Sequence, residues 1–216
     1  MSRSPQELAY DDARLTARAR SLAGGRRAIL GVTGPPGAGK TSLVEALLGE
    51  QPAGSAAHVP MDGFHLADVE LARLGRLSRK GAPDTFDAWG YAALLRRLHD
   101  DGLETVYAPG FERILEQPVA GIIPVPPQAR LIVTEGNYLL LDEPGWRQVR
   151  AELDEVWYVD LPDPERTARL VLRHEQFGKS AVAARAWVER VDAPNAALVA
   201  ATRDRADLVV TGNPTR

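Results

Sequence analysis

Between an apolar run at residues 28–32 and a helical pattern at residues 41–48, the chain reads Gly34-Pro35-Pro36-Gly37-Ala38-Gly39-Lys40-Thr41. The segment fits G-x-x-x-x-G-K-[ST] at every fixed position, and a strand before it with a helix behind it is the context in which such a loop cradles phosphates. It constrains the fold more than any other feature, because it has to leave the carboxyl end of a sheet strand and enter a helix at once. Successive backbone N–H groups must turn inward around phosphate oxygens, so a side chain at Gly34 or Gly39 would obstruct the path or the ligand. Ser42 continues into the helix, where Leu43 and Leu47 share one face before Gly49 stops it. The partial positive charge at that helix start favours an anion. Lys40 is placed to reach the β- and γ-phosphates of ATP, and the Thr41 hydroxyl to ligate the Mg²⁺ that bridges them. The competing reading is a chance glycine turn before a helix; the strand, the Lys-Thr pair and the helix argue together against it.

A length of 216 residues suits one domain over residues 1–216, large enough to bury roughly 70% of its unfolded surface. The net charge of −3 speaks against a general nucleic-acid or anionic-membrane binder, which leans on a surplus of Lys and Arg. Without cysteine there is no disulfide, thiolate nucleophile or thiolate metal site, which fits a reducing compartment. No apolar run approaches the roughly 18 residues of a membrane span, and the polar N-terminus lacks a signal-peptide apolar region. The expectation is a soluble cytoplasmic protein with no nucleic-acid or membrane partner, with a homodimer as the commonest oligomer.

A phosphate loop serves switches, motors, transporters and small-molecule kinases alike, so the rest of the chain has to decide the reaction. Residues 4–23 predict a leading helix, from the capping-box spacing of Ser4-Pro5-Gln6-Glu7 and the recurrence of Leu8, Leu15 and Leu22, closed by Gly24-Gly25. Residues 57–61 predict a second strand that ends in Asp62-Gly63-Phe64-His65. Side chains just beyond strand ends face the ligand crevice of an open parallel sheet, which makes Asp62 a candidate base for an acceptor hydroxyl. The alternative is a turn residue holding Gly63. His65 is a candidate substrate contact or an ordinary half-buried histidine.

Residues 66–77 are helical in pattern and lead into a basic, then acidic loop, after which Asp87 caps a helix with Tyr91, Leu94, Leu95 and Leu98 on one face. The proline-rich residues 119–128 suggest a short edge hairpin. Residues 130–136 form a clear strand ending in Glu135, which can hold the Mg²⁺ shell. Residues 155–160 form a further strand. Pro164 then opens a helix with Arg166, Arg169 and Arg173 on one face, either a lid over a triphosphate or a solvated charge stripe. Residues 163–190 make up this lid region. The segment Asp192-Ala193-Pro194-Asn195 breaks the helix, Asn195 caps the next one, and residues 206–210 form a last strand. The βα alternation predicts an α/β fold with three layers, α/β/α, around a mostly parallel central sheet, the P-loop NTPase arrangement.

With these stretches in place, the chain resembles the uridine kinase, pantothenate kinase and phosphoribulokinase group of P-loop kinases over nearly its whole length. The specific parts are Met61-Asp62-Gly63-Phe64, Lys80-Gly81-Ala82-Pro83-Asp84-Thr85-Phe86-Asp87 and Glu135-Gly136-Asn137-Tyr138-Leu139-Leu140. They look like the group's base-bearing strand end, its acceptor-side loop and its second acidic strand. The resemblance implies Asp62 as catalytic base, Glu135 near the metal and the Arg166 to Arg173 helix as lid, with Arg169 and Arg173 on the moving phosphoryl group. It also places Lys80, Tyr107, Glu112, Arg113 and Asn195 around the acceptor. The expected activity is transfer of phosphoryl from ATP to an alcohol of a small metabolite, a sugar, nucleoside or pantothenate-like molecule.

Two rivals remain at this level. Asp142-Glu143-Pro144-Gly145 matches the Asp-x-x-Gly of GTPase-type switches, but it lies well past its strand end and no Asn-Lys-x-Asp guanine motif accompanies it. A regulator that binds nucleotide without chemistry is the other, and intact Lys40, Thr41, Asp62 and Glu135 speak against it.

Overall fold

The computed structural model describes residues 4–100 and 102–212. Strands β1 (Gln6–Ala9), β2 (Ala28–Thr33), β3 (Ala56–His58), β4 (Val106–Glu112), β5 (Gln117–Val125), β6 (Leu131–Glu135), β7 (Glu155–Asp160) and β8 (Leu208–Thr211) divide between two sheets. Six form a parallel sheet in the order β1-β8-β7-β2-β6-β3, and β4 pairs with β5 as a separate antiparallel hairpin. Strand β2 is buried at every position, as a strand must be when helices cover both faces of a parallel sheet.

The period of two along each strand sorts the core into two layers. Leu30, Val32, Leu131, Val133, Trp157 and Val159 face helices α1 (Asp12–Leu22) and α2 (Lys40–Gly49), packing on Leu15, Ala19, Leu43, Val44 and Leu47. Ile29, Ile132, Val156 and Val209 face the other way. Beyond the short α3 (Asp68–Arg73), that second layer is α4 (Ala88–His99) and α5 (Pro144–Ala151), with Tyr91, Leu95, Leu98, Trp146 and Val149 buried. Asp87 caps α4 as expected, its carboxylate accepting from Gly90 N at 2.8 Å. The chain continues through α6 (Asp163–Gln176), α7 (Ala181–Trp187) and α8 (Ala193–Ala200). The α/β/α layering is thus as the sequence predicts, and among the described residues no helix is long and apolar enough to cross a membrane.

Three local expectations are corrected. Residues 4–23 are not one helix: β1 pairs with β8, Tyr10 N donates to Thr211 O at 2.9 Å, and α1 starts only after Asp11, whose carboxylate accepts from Arg14 N at 2.9 Å. The open edge of β8 supplies ladder partners that the Ser4 capping box cannot match locally. Residues 66–77 hold only α3, because Gly75 takes φ +67 and ends the helical course. Asp192 to Asn195 do not break the helix either. A π turn at Val188–Asp192 carries the chain directly into α8, Pro194 sits in its first turn where no N–H is needed, and Asn195 lies inside the helix rather than at its cap.

One buried charge holds the sheet's lower end. Arg27, 1% exposed, donates from Nε to Ala129 O (2.8 Å), from Nη1 to Leu98 O (3.2 Å) and from Nη2 to Pro126 O and Pro127 O (3.1 and 3.0 Å). Truncation would strand these carbonyls away from water. Arg27→Ala is expected to destabilise the protein by about 3 kcal/mol or more, seen as a fall of roughly 6–12 °C in the midpoint of thermal unfolding.

Candidate active site

The phosphate loop leaves β2 and enters α2 with the backbone the sequence requires. Gly34, Gly37 and Gly39 have φ of +147, +78 and +91. A Cβ at Gly34 would lie 2.6 Å from Val159 O, and one at Gly37 would lie 2.8 Å from Arg166 O, so β7 and α6 press directly on the loop. Ala38 is buried beneath it, and its N–H donates to Pro35 O at 3.1 Å. Arg166 on α6 closes the arrangement, donating to Pro36 O at 2.9 Å and to Asp163 Oδ1 at 2.5 Å. Ser42 follows on the first turn of α2.

Lys40 folds back on this loop, with Nζ donating to Gly34 O (2.9 Å) and Pro35 O (3.2 Å). Burial pushes its pKa down to about 8; Arg173 and Arg166 push the same way, while Glu135 and Asp62 oppose them. The Thr41 hydroxyl donates to Glu135, 3.0 Å from each carboxylate oxygen. Burial alone would raise the Glu135 carboxyl, but His58, Lys40 and Thr41 outweigh it and hold the group below its ordinary range. A hydroxyl and an ionised carboxylate side by side are hard oxygen donors that suit Mg²⁺.

Asp62 lies on a 3₁₀ turn, Met61–Phe64, just past β3. It is exposed, its carboxylate makes no hydrogen bond among the described residues, and its charge reaches Lys40, His65, Tyr91 and Tyr138. Two glycines make room for this turn. A Cβ at Gly63 would meet Pro109 O at 2.3 Å, and one at Gly136 would meet Met61 Sδ at 2.5 Å. The β4–β5 hairpin therefore seats its backbone on the residue after Asp62.

His65 donates from Nδ1 to Asp62 O at 2.9 Å, since a carbonyl can only accept. Its ring packs at a tilt on Phe86 (4.0 Å between centroids) and Phe111 (5.0 Å), and burial lowers its pKa against the opposing pull of Asp62. Lys80 reaches the same wall. Its ammonium donates to Asp68 Oδ1 (2.6 Å) and Glu116 O (2.5 Å) and sits 5.5 Å from the Phe111 ring, so it ties the hairpin turn to α3. Tyr138 donates to Gly81 O at 2.5 Å, fastening the acceptor-side loop to the segment after β6.

The other expected acceptor residues are spread more widely. Glu112 accepts from Ile114 N at 3.0 Å within the hairpin turn. Tyr107, 61% exposed, and Arg113 stand in solvent on the hairpin. Asn195 is partly buried on α8, one turn past Asp192, whose carboxylate binds His174 Nε2 at 2.9 Å and whose charge is felt by Tyr138. Of the arginine face, Arg166 clasps the loop, Arg173 acts on Lys40, and Arg169 is exposed without a side-chain partner among the described residues. Asp142, the switch-like aspartate, is engaged by Arg205 (3.1 Å) and Arg147 (3.3 Å).

Sequence reading passed over His58, Phe111 and Asp192. They contact Glu135, His65 with Lys80, and His174 respectively, through elements whose register or crossing is set only in three dimensions.

No family model matches the chain. It is 36% identical over 125 residues to the ATP-dependent kinase-like protein notR' of Aspergillus versicolor, an overlap of 55% of this chain and 73% of that protein. It is 34% identical over 175 residues, 77% of this chain and 74% of the other, to a Schizosaccharomyces pombe protein provisionally named a uridine kinase. A Silicibacter protein of known structure, provisionally named a fructose transport system kinase, aligns with a TM-score of 0.82 at 36% identity over 93% of this chain and 99% of its own. Fold, phosphate loop and these relatives agree: the chain belongs to the P-loop kinases of the uridine kinase, pantothenate kinase and phosphoribulokinase group.

Proposed function

We propose that the protein transfers the γ-phosphoryl group of ATP to a hydroxyl of a small metabolite, a sugar, nucleoside or pantothenate-like alcohol. The observation that carries this reading is the free carboxylate of Asp62 standing within electrostatic reach of the phosphate-loop lysine. A base beside a triphosphate site is what a kinase needs and a nucleotide switch does not. The names of relatives, a uridine kinase and a fructose transport system kinase, point to hydroxylated acceptors of this size.

The loop N–H groups and the N-terminus of α2 bind the phosphates. Asp62 orients the acceptor hydroxyl and takes its proton as the oxygen–phosphorus bond forms and the bond to the ADP oxygen breaks. Lys40 exchanges its two carbonyl contacts for phosphate oxygens, and Arg173 balances the charge on the moving group. Thr41 and Glu135 are the residues that would hold Mg²⁺, which would supply positive charge against the phosphates.

Acceptor-dependent ADP release, measured with MgATP over a panel of sugars, nucleosides, pantothenate and polyols, tests the reading. One acceptor class should stimulate release. Tight nucleotide binding with no stimulation by any of them would overturn it in favour of a nucleotide-sensing role.

Lys40 adds a pH signature. Its folded pKa of about 8 lies below the ordinary 10.5, so the unfolded chain binds this proton more tightly and Lys40 lowers stability below pH 8. Stability from this group rises as pH climbs through the window between those values. Phosphate restores the proton, so nucleotide binding near pH 9 should take up close to one proton, and calorimetry in buffers of different ionisation enthalpy would measure it.

A further inference from the structure

His58 closes β3 and pairs in register with Val133 on β6. The strand period puts His58, Val133 and Glu135 on the same sheet face, the one covered by α2, where Val133 packs with Leu43 and Val44. Glu135 therefore sits between two elements, with Thr41 reaching it from α2 and His58 from the sheet edge. His58 Nε2 is buried, lies 3.5 Å from Glu135 Oε1 and makes no hydrogen bond, although the ring as a whole is 30% exposed. A buried ring nitrogen without a partner is costly unless a bound state satisfies it.

The carboxylate itself is under-held. Both of its oxygens lie 3.0 Å from the one Thr41 hydroxyl, so a single proton is shared between them and does not select either. His58 approaches Oε1 alone. An N–H donated there would turn the carboxylate about its axis, anchor Oε1 and free Oε2.

We propose that His58 is a positioning residue for the cation site: its imidazole N–H holds Glu135 Oε1, so that Oε2 faces a divalent cation beside Thr41. This rests on the reading of Thr41 and Glu135 as the residues that hold the nucleotide's metal. The 3.5 Å separation has only to shorten by about half an ångström to reach an ordinary N–H···O distance. Outer partners of metal-binding carboxylates act in this way, and their loss typically weakens metal binding about 10–100-fold.

The test uses Mn²⁺ as probe, followed by electron paramagnetic resonance, on the intact protein carrying a non-hydrolysable ATP analogue. His58→Ala and His58→Phe, the latter keeping ring volume without an N–H, are expected to weaken Mn²⁺ binding by about 10–100-fold. Nucleotide affinity in EDTA should stay within about twofold, since the phosphate loop is untouched, and His58→Gln, which restores an N–H donor, should recover most of the metal affinity. Mn²⁺ affinity within about twofold of wild type in both His58→Ala and His58→Phe overturns the role of His58 while leaving the metal site standing. A wild-type protein whose nucleotide complex takes up no Mn²⁺ overturns the metal reading of Thr41 and Glu135, and this proposal with it.

Discussion

Asp62→Asn is expected to lower acceptor-dependent turnover by about 10³-fold or more while nucleotide affinity changes by less than about threefold. The amide keeps the size of the side chain and accepts the acceptor O–H, but it cannot take the proton. Folding should be unaffected, because the carboxylate is exposed and bonds to nothing among the described residues. Comparison of steady-state turnover with equilibrium binding of the nucleotide decides it. A variant with full turnover would show that Asp62 only shapes the turn around Gly63, the other role an aspartate has at such a position.

Arg173→Ala is expected to reduce turnover by about 10³-fold with a smaller effect on nucleotide binding, and Arg169→Ala to change it by less than about tenfold. Both arginines are exposed, and both lack a side-chain partner among the described residues. They differ in place. Arg173 lies seven residues beyond Arg166, which clasps Pro36 O, and its charge with that of Arg166 helps depress Lys40. Arg169 is turned further around the helix, about 60° from Arg166 against about 20° for Arg173. A free guanidinium near the lysine can swing onto the moving phosphoryl group, where charge stabilisation is strongest. Single-turnover rates of the two variants at saturating ATP separate them, and equal losses would mean that the whole face acts as a unit.

The phosphate loop was legible because its chemistry is local. Three glycines, a lysine and a threonine within one turn of chain are imposed by backbone geometry, and the φ values at Gly34, Gly37 and Gly39 follow directly. Strands β6 and β7 were legible for a related reason: buried on both faces, they carry the unbroken apolar runs Leu131-Ile132-Val133 and Val156 to Val159, with charged residues only at their ends. The leading segment departs from its helical pattern because Leu8 fits a helical spacing and an edge strand equally well, and only the free edge of β8 selects the strand. The segment around Pro194 looks like a break in sequence because the π turn that leads into α8 leaves no mark in composition.

The acceptor side divides in the same way. Glu135 could be placed from the sequence, since the end of a parallel strand faces the crevice whatever the neighbouring strands do, whereas Asp62 lies four positions beyond the end of β3 and is carried by the Met61–Phe64 turn. Lys80 is tied to Asp68 and Glu116 O, a clasp that depends on where the β4–β5 hairpin docks. Arg166 left the lid face to hold Pro36, because Gly37 lets α6 come within contact of the loop.

By itself, the sequence determined the phosphate loop, the parallel α/β/α scaffold and the acidic end of β6, because each rests on residues adjacent in the chain or on the period of a single element. Only the tertiary structure decided that His58 meets Glu135, that Gly63 seats the hairpin and that the charge of Arg173 reaches Lys40. Those contacts join residues far apart in sequence, and their distances are set by strand register, helix crossing and backbone close approach, none of which is encoded at any one position.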